Sequence, residues 1–188
     1  MADFTREQLE TALKQAKSKI VLKGRNLSGL DLSGLNFREA ELVGIDLSET
    51  ILTNAIFFKA NLSQANLTNV RADYADFRSA KMEAAILSGA NLHGANLDGT
   101  KLMKADLQRA SLLRATMRGS SDLSQANLQQ ADLNGAKLYW ANLNGADLRG
   151  ARLERVIMRG ATMQGARYDE HTFWPAEIVP DLVGAILG

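Results

Sequence analysis

The chain repeats itself every five residues over most of its length, and this period constrains the fold more than any other feature. Residues 85–99 read AILSG, ANLHG, ANLDG: a small residue, often a short polar one, Leu, and two variable positions that often end in Gly. The central apolar position recurs at this spacing from Leu22 to Met117. It then slips by one residue at Ser120–Ser121 and resumes. The repeat therefore indicates one continuous architecture from residue 20 to residue 174.

A period of five fits neither an α-helix nor a β-strand, whose apolar faces recur every ~3.6 and ~2 residues. The central residues can share one core only if the backbone turns a corner in every unit. Four corners make a square coil of about twenty residues, in which the central residue and the Ala two positions before it point inward. The sequence thus predicts an all-β solenoid of roughly 7–8 coils. The other three positions of each unit face water.

A second period supports the square coil. Phe37, Phe57 and Phe77 lie twenty residues apart, so one lap of the coil would stack their rings on one another. Ala suits the other inward position, because two opposed large side chains would overfill so narrow an interior. The predicted core contains these three phenylalanines together with Leu92, Leu97 and Leu143.

The units resemble the pentapeptide-repeat family, whose pattern is A(D/N)LXX, and the resemblance covers most of the chain. The later segment ARYDEHTFWPAEIVP is similar to YDxxTxWP, a terminal motif of cyanobacterial relatives. The resemblance implies a right-handed quadrilateral β-helix. Some members of the family resemble DNA in shape and charge and protect DNA gyrase, whereas many cyanobacterial members have no assigned activity.

Three segments are expected along the chain. Residues 1–19 form an N-terminal capping helix, in which Thr5 is the N-cap and Gln8 completes a capping box. A helix displayed to a partner is the alternative. Residues 20–174 form the β-helix, with a one-residue bulge at 120–121. Residues 175–188 form a C-terminal cap. The apolar stripe expected to cover the first coil consists of Leu9, Leu13 and Ala16.

The C-terminal cap is expected to end the sheet ladder and to cover its interior. Pro175 and Pro180 should stop further strand pairing, because Pro lacks the N–H donor. A covered end favours a monomer over an end-to-end dimer. The residues expected to provide the cover are Trp174, Ile178, Val179, Leu182, Val183, Ile186 and Leu187.

Composition excludes several classes of protein. The chain has no Cys, which rules out a disulfide framework and favours a reducing, cytoplasmic setting. Its N-terminus MADFTREQLE lacks the layout of a secretory signal, and no apolar run approaches the ~18 residues that span a membrane. The two histidines are His93 and His171. His171 follows Asp169 and Glu170, which could suggest a metal site, but a role in the cap is the simpler interpretation. We predict no enzymatic activity and no cofactor.

Stacking residues twenty apart also builds the outer surface, whose four faces we name by their first central residues, Leu22, Leu27, Leu32 and Phe37. On the fourth face, rungs ~4.8 Å apart would place Phe58 and Tyr139 each between two arginines, a spacing that permits cation–π contacts. Outward charges on this face sum to about +3. A lateral ladder that merely steadies the coil is the alternative to a binding surface. The candidate interaction surface consists of Arg38, Phe58, Arg78, Arg118, Tyr139, Trp140 and Arg159.

These features favour a non-catalytic interaction protein, a rigid rod that presents flat faces to an unidentified protein partner. Aromatic residues and Arg supply most of the binding energy at protein interfaces. A DNA mimic that regulates or protects a type II topoisomerase is the alternative. A rod ~35 Å long would then need roughly twenty negative charges. The chain carries a formal charge of +1, and this disfavours mimicry. Nucleic acid is not an expected partner either, because about +3 spread over one face is no polyanion groove.

Overall fold

The computed structural model describes residues 2–16 and 18–188. Its regular elements are helix α1 (Arg6–Gln15), strand β1 (Arg167–Tyr168), a 3₁₀ helix (Pro180–Val183) and strand β2 (Ile186–Leu187). Between α1 and β1 the chain forms a long series of single-residue parallel β-bridges, one in every five-residue unit. The core lies inside this series.

The bridges join residues one lap apart and define the coil. Asn26 pairs with Asp46, and Asp46 pairs in turn with Asn66, so the register is twenty residues. Around the first of these bridges, Leu27 N donates to Asp46 O at 2.8 Å and Asp46 N donates to Arg25 O at 2.9 Å. Each unit contributes one bridge residue, because the central residue that follows it leads directly into a two-residue turn. The predicted register of twenty residues is therefore present, but it is made of single-residue bridges and not of regular strands.

From Gly24 to Gly165, every corner except the one at Arg155 uses a turn with a left-handed residue. Ala55 N donates to Leu52 O at 2.9 Å, and the intervening Asn54 has φ 58°. This is the arrangement of a type II turn. Positive φ at this position is usually taken by Gly because Gly carries no Cβ. Within residues 2–16 and 18–188, sixteen non-glycine residues also have positive φ, which shows that the coil overrides the local preference.

The polar second position of the unit serves both the turn and the ladder. Asn66 Oδ1 accepts from the backbone N–H of Thr68 at 3.1 Å, an Asx turn that rigidifies the corner. Its Nδ2 donates to Asp46 Oδ1 on the preceding coil at 3.1 Å. The preference for Asn or Asp at this position follows from these two bonds.

The predicted aromatic stack is confirmed inside the coil. The rings of Phe37 and Phe57 lie 5.1 Å apart with planes 8° from parallel, and Phe57 and Phe77 repeat this at 5.1 Å and 9°. Leu92, Leu97 and Leu143 are also fully buried, as predicted.

The extra residue at Ser120–Ser121 is absorbed at a corner, as expected. The register across it grows to 21 residues, since Lys101 pairs with Asp122. Ser120 is exposed with φ 70°, whereas Ser121 is fully buried. The Ser121 Oγ lies 2.9 Å from the carbonyl oxygens of Leu97 and Arg118, and it accepts from Gly99 N at 3.0 Å.

Helix α1 covers the start of the coil. Its capping box is formed as predicted: Gln8 N donates to Thr5 Oγ1 at 3.2 Å, and Thr5 N donates to Gln8 Oε1 at 2.8 Å. Leu9 is buried and Leu13 packs against the core, but Ala16 is exposed because the helix ends at Gln15. The helix is shorter than the predicted capping helix over residues 1–19, because it spans only Arg6–Gln15, and residues 1 and 17 lie outside the described residues.

Helix α1 also hydrogen-bonds to the open edge of the first coil through Arg6. The Arg6 guanidinium donates to the carbonyl oxygens of Asp31 at 2.8 Å and Ser33 at 3.0 Å. Carbonyl groups of the first coil that face the chain terminus thereby gain partners.

The ladder does not stop at the prolines, contrary to the prediction. Strand β2 pairs in parallel with β1, Arg167 opposite Ile186, and Ile186 N donates to Ala166 O at 2.8 Å. Pro175 and Pro180 lie in the connection before β2, where their missing N–H groups interrupt no rung. The final segment thus adds a rung beyond the last full coil.

Cover of the C-terminal end is incomplete, which corrects a second expectation. Trp174 and Val183 pack against the core. Leu182 and Leu187, however, are 84% and 71% exposed. The four large apolar residues of this segment that face solvent are Val179, Leu182, Ile186 and Leu187. Four of the seven residues expected to provide the cover therefore face solvent, although Met163 and Ala166 beneath this end are buried, and the monomer stays a prediction.

Candidate functional site

The strongest feature of the fourth face is a clamp of cations around Phe58. The guanidinium carbon of Arg38 lies 4.4 Å from the ring centroid, and that of Arg78 lies 5.4 Å from it. The bridge register places the three residues one coil apart on successive rungs. The expectation for Phe58 is thus met. Lys59 adds a third cation at 5.3 Å, which sequence stacking missed because Lys59 belongs to the corner rather than to the column.

Acidic side chains on the same face hold two of the arginines in place. Arg78 donates to both oxygens of Asp76, Nε at 2.8 Å and a terminal nitrogen at 2.6 Å. Hydrogen bonds from Arg78 therefore lower the pKa of Asp76, against the opposing effect of burial. The pair keeps the Arg78 guanidinium oriented beside Phe58.

A similar pair forms further along the face. Arg118 Nε donates to Asp98 Oδ2 at 3.0 Å, and Arg118 N donates to Asp98 Oδ1 at 2.8 Å. Burial raises the pKa of Asp98, but these bonds outweigh it and the pKa lies below its ordinary value. Because its guanidinium engages Asp98, Arg118 does not form the expected clamp. Across residues 2–16 and 18–188, no cation–π contact involves Tyr139.

Tyr139 and Trp140, at the other end of the face, differ in exposure. Tyr139 is half-buried, while Trp140 is 65% exposed at the corner with φ 61°. The Trp140 indole lies over Gly160 of the next coil, so closely that a side chain on Gly160 would collide with it. Arg159 is exposed on the same coil as Gly160. The face therefore carries a cationic aromatic clamp at one end and an exposed indole at the other.

Large corner residues that lie over glycines were missed by sequence reasoning. A Cβ placed on Gly94 would lie 2.6 Å from Tyr74 Cε1, so the ring occupies the space that a side chain would need. The sequence spacing could have indicated these contacts, since each glycine follows its larger partner by one lap. The pairs are Asn69–Gly89, Tyr74–Gly94, Arg114–Gly135, Gln125–Gly145, Gln130–Gly150, Trp140–Gly160 and Gln164–Gly184.

The acidic residues near His171 serve the cap. The Asp169 carboxylate accepts from Gly150 N at 2.9 Å, from His171 N at 3.1 Å and from Thr172 Oγ1 at 3.0 Å. In the described part of the chain, no group of three or more His, Cys, Asp or Glu side chains could hold a metal ion. Nor does any helix within residues 2–16 and 18–188 have the length and apolar character needed to cross a membrane.

The chain matches the profile of the Pentapeptide repeats family in eight copies, across residues 18–54, 52–83, 85–121, 121–160 and 136–167. No curated protein sequence matches it significantly.

Solved structures of similar proteins include three of particular interest. A trypsin-treated variant of QnrB1, a plasmid-mediated fluoroquinolone resistance protein, has a TM-score of 0.68 at 16% identity, covering 91% of this chain and 87% of that one. HetL, a pentapeptide repeat protein involved in heterocyst differentiation regulation from the cyanobacterium Nostoc sp. strain PCC 7120, has 25% identity over 97% and 92% of the two chains, with a TM-score of 0.46. Alr5209, a pentapeptide repeat protein from the same strain, has 32% identity over 71% and 84%, with a TM-score of 0.29. The likeness to QnrB1 shows a shared fold.

Proposed function

Because the chain belongs to the pentapeptide repeat family, we propose that it is a non-catalytic interaction protein whose fourth face binds a protein partner. The observation that carries the proposal is the clamp at Phe58, where three cations surround one half-buried ring. Cation–π contacts at exposed sites are worth only about 0.5–1 kcal/mol each. The coil itself is already fixed by its buried stack and backbone ladder, so a ladder role alone gives little reason for this grouping.

The exposed Trp140 supports the same face. Trp, Tyr and Arg are the residues that most often dominate the energy of protein–protein binding. Both Trp140 and Phe58 are held rigidly, one over Gly160 and the other between arginines, so a partner would lose little side-chain entropy in ordering them.

A capture experiment with matched variants tests the proposal. The bait is the full chain, either wild type, Phe58→Ala/Tyr139→Ala/Trp140→Ala, or Tyr74→Ala, applied to lysate of the cells that produce it. Tyr74 is an exposed aromatic over Gly94 on the third face and serves as the control. The proposal expects a protein recovered by wild type and Tyr74→Ala to be lost with the triple variant. Equal recovery by all three baits would remove the fourth face as the binding site.

A topoisomerase-directed DNA mimic remains the second candidate, and the fold shared with QnrB1 is the observation behind it. The charge of the chain counts against it, since +1 is far from the density of duplex DNA. A gyrase supercoiling assay with and without a fluoroquinolone separates the two candidates. Protection of the enzyme by the chain would favour the mimic, and unchanged inhibition would leave the interaction protein.

The proposal also includes the handedness and cross-section of the coil, the location of the chain and its oligomeric state. We take the coil to be right-handed and four-sided, as the family resemblance implies, and the chain to act as a cytoplasmic monomer. The lack of Cys supports a reducing setting. Light scattering on the purified chain tests the monomer, and a dimeric mass would direct attention to the exposed Leu182 and Leu187.

A further inference from the structure

The chain contains two Asn-Gly dipeptides, Asn134–Gly135 and Asn144–Gly145, in equivalent positions of the repeat. In each, Gly is the corner residue, with φ 69° and 68° respectively. Asn-Gly is the dipeptide in which a backbone nitrogen most readily attacks the preceding side-chain amide, because Gly offers no steric hindrance. The two sites share sequence and turn, so differences in their hydrogen bonding can be compared directly.

Asn144–Gly145 is held on both sides. Gly145 N donates to Gln164 O at 3.0 Å, as corner residues do throughout the ladder. Asn144 Oδ1 accepts from Gln164 N at 2.8 Å. Attack by the Gly145 nitrogen on the Asn144 side chain would require both bonds to break.

Asn134–Gly135 lacks these restraints. Among residues 2–16 and 18–188, Gly135 N has no hydrogen-bond acceptor, although Arg114 N and Trp140 N at neighbouring corners each donate to the next coil. Asn134 Oδ1 is buried and also has no partner within that part of the chain. The nucleophilic nitrogen and the amide carbonyl it would attack are therefore both unengaged.

Among the residues that the structure describes, Gly135 N lacks an acceptor because of the turn at Arg155, one lap further along the chain. From Gly24 to Gly165, every corner residue has positive φ except Arg155. The turn bond is still made, Val156 N to Leu153 O at 3.0 Å, so this corner is a type I rather than a type II turn. The two types differ by a flip of the central peptide, which turns the Glu154 carbonyl away from Gly135 N. The missing rung thus has a local geometric origin.

The geometry points to Asn134 as a site of spontaneous deamidation, preferred over Asn144 in the folded chain. In the first step, Gly135 N loses its proton and bonds to Asn134 Cγ. The Cγ–Nδ2 bond then breaks, ammonia leaves and a five-membered succinimide remains. Water next opens either carbonyl of the ring, giving aspartate or isoaspartate at position 134. No oxidant or reductant takes part.

The product would change a defined part of the surface. Asn134 and Gly135 line a depression of about 340 Å³ together with His93, Arg114 and Arg155. Aspartate would add a negative charge to this depression, whose lining includes two arginines. Isoaspartate would also lengthen the backbone by one carbon beside Asn134 O, which accepts from Arg114 N at 3.1 Å. Deamidation of Asn134 would therefore change the charge of this corner and, where isoaspartate forms, its backbone register.

Peptide mapping of the full-length chain tests the inference, because trypsin places the two sites in separate peptides, residues 119–137 and 138–149. Folded chain is incubated in mildly alkaline buffer, and conversion of each Asn is followed by mass spectrometry. One additional hydrogen bond restrains local opening by roughly three- to tenfold, so Asn134 should convert faster than Asn144 by at least such a factor. In chain denatured by urea the two rates should be similar. Equal rates in the folded chain, or faster conversion of Asn144, would overturn the inference.

Variants at Arg155 test the proposed cause. Arg155→Gly permits positive φ, restores the rung to Gly135 N and should slow conversion of Asn134 while leaving Asn144 unchanged. Arg155→Ala removes the same charge without favouring positive φ, and its Asn134 should convert at the wild-type rate. If both variants slow Asn134 equally, the charge of Arg155 and not the turn controls the site, and the inference fails. If Arg155→Gly converts at the wild-type rate, it fails as well.

Discussion

The Trp140 indole lies over Gly160, one lap away, in the space that a side chain at Gly160 would occupy. The contact anchors an exposed aromatic residue on the fourth face without a pocket. It also makes the absence of a side chain at Gly160 a requirement imposed by its neighbour, in addition to its φ of 75°.

We predict that Gly160→Ala destabilises the chain more than Gly165→Ala. Both residues have positive φ, 75° and 69°, which costs an L-residue about 1–2 kcal/mol. A Cβ at Gly165 meets nothing within 4 Å, whereas one at Gly160 strikes the indole. Urea unfolding measures the difference. In a Trp140→Ala background the excess cost should vanish, and its persistence there would show that the indole is not the obstacle.

Truncation of two adjacent phenylalanines should destabilise the chain by very different amounts. Phe57 is fully buried between two rings, so Phe57→Ala should cost about 3–5 kcal/mol. Phe58 is half-buried outside the coil, and Phe58→Ala should cost about 1 kcal/mol through lost cation–π contacts. Thermal melts of the two variants check this. The reverse ranking would contradict the assignment of inward and outward positions.

Acid should weaken the chain through Asp147. Burial raises the pKa of this carboxyl, but hydrogen bonds from Arg149 and Gln129 outweigh it and bring the pKa from 3.8 to about 2. Since the pKa is lower in the folded state, the stabilisation is complete above the ordinary value and is lost as pH falls towards 2. Solvent screening reduces its size to about 1 kcal/mol.

The pH dependence can be isolated with two variants of the same ion pair. The stability of Asp147→Asn should fall less steeply than wild type between pH 3.8 and about 2. Arg149→Gln should show a similar flattening, because Arg149 donates to both Asp147 oxygens, at 2.9 and 2.6 Å. Wild-type slopes in both variants would locate the acid sensitivity elsewhere.

Of the two serines at the bulge, Ser120 should be dispensable for stability, whereas Ser121 should not. Deleting Ser120, which is exposed, returns the spacing to five and should change the unfolding free energy by less than about 1 kcal/mol. Ser121→Ala removes a buried hydroxyl that hydrogen-bonds to the carbonyl oxygens of Leu97 and Arg118, and should cost about 0.5–1.5 kcal/mol, since Gly99 N keeps its bond to Arg118 O at 2.9 Å. Chemical denaturation of the two proteins measures both effects. A deletion variant that fails to fold would mean that the bulge is needed.

Much of the coil could be predicted because its determinants are periodic. The stack of Phe37, Phe57 and Phe77 follows from their spacing once a lap of twenty residues is assumed, and the capping box at Thr5 follows from local chemistry. Both depend on backbone positions that the sequence pattern specifies directly.

Features set by side-chain direction or by a single peptide plane could not be predicted in the same way. Arg118 was expected beside Tyr139, but it engages Asp98 because a charge-assisted hydrogen bond is stronger than an exposed cation–π contact. The turn at Arg155 differs from its neighbours although other charged residues accept positive φ. The ladder resumed at Ile186 because both prolines fell in a connection, which depends on chain path rather than composition.

The twenty-residue register of the bridges makes the length of the rod adjustable. Each coil bonds only to the coil before it and the coil after it, at equivalent positions. Removal of residues 81–100 would join Ala80 to Lys101 and leave every remaining rung opposite a partner of the same type. Evolution can therefore shorten or extend such a chain in whole laps, altering how many sites a face displays without redesigning either end.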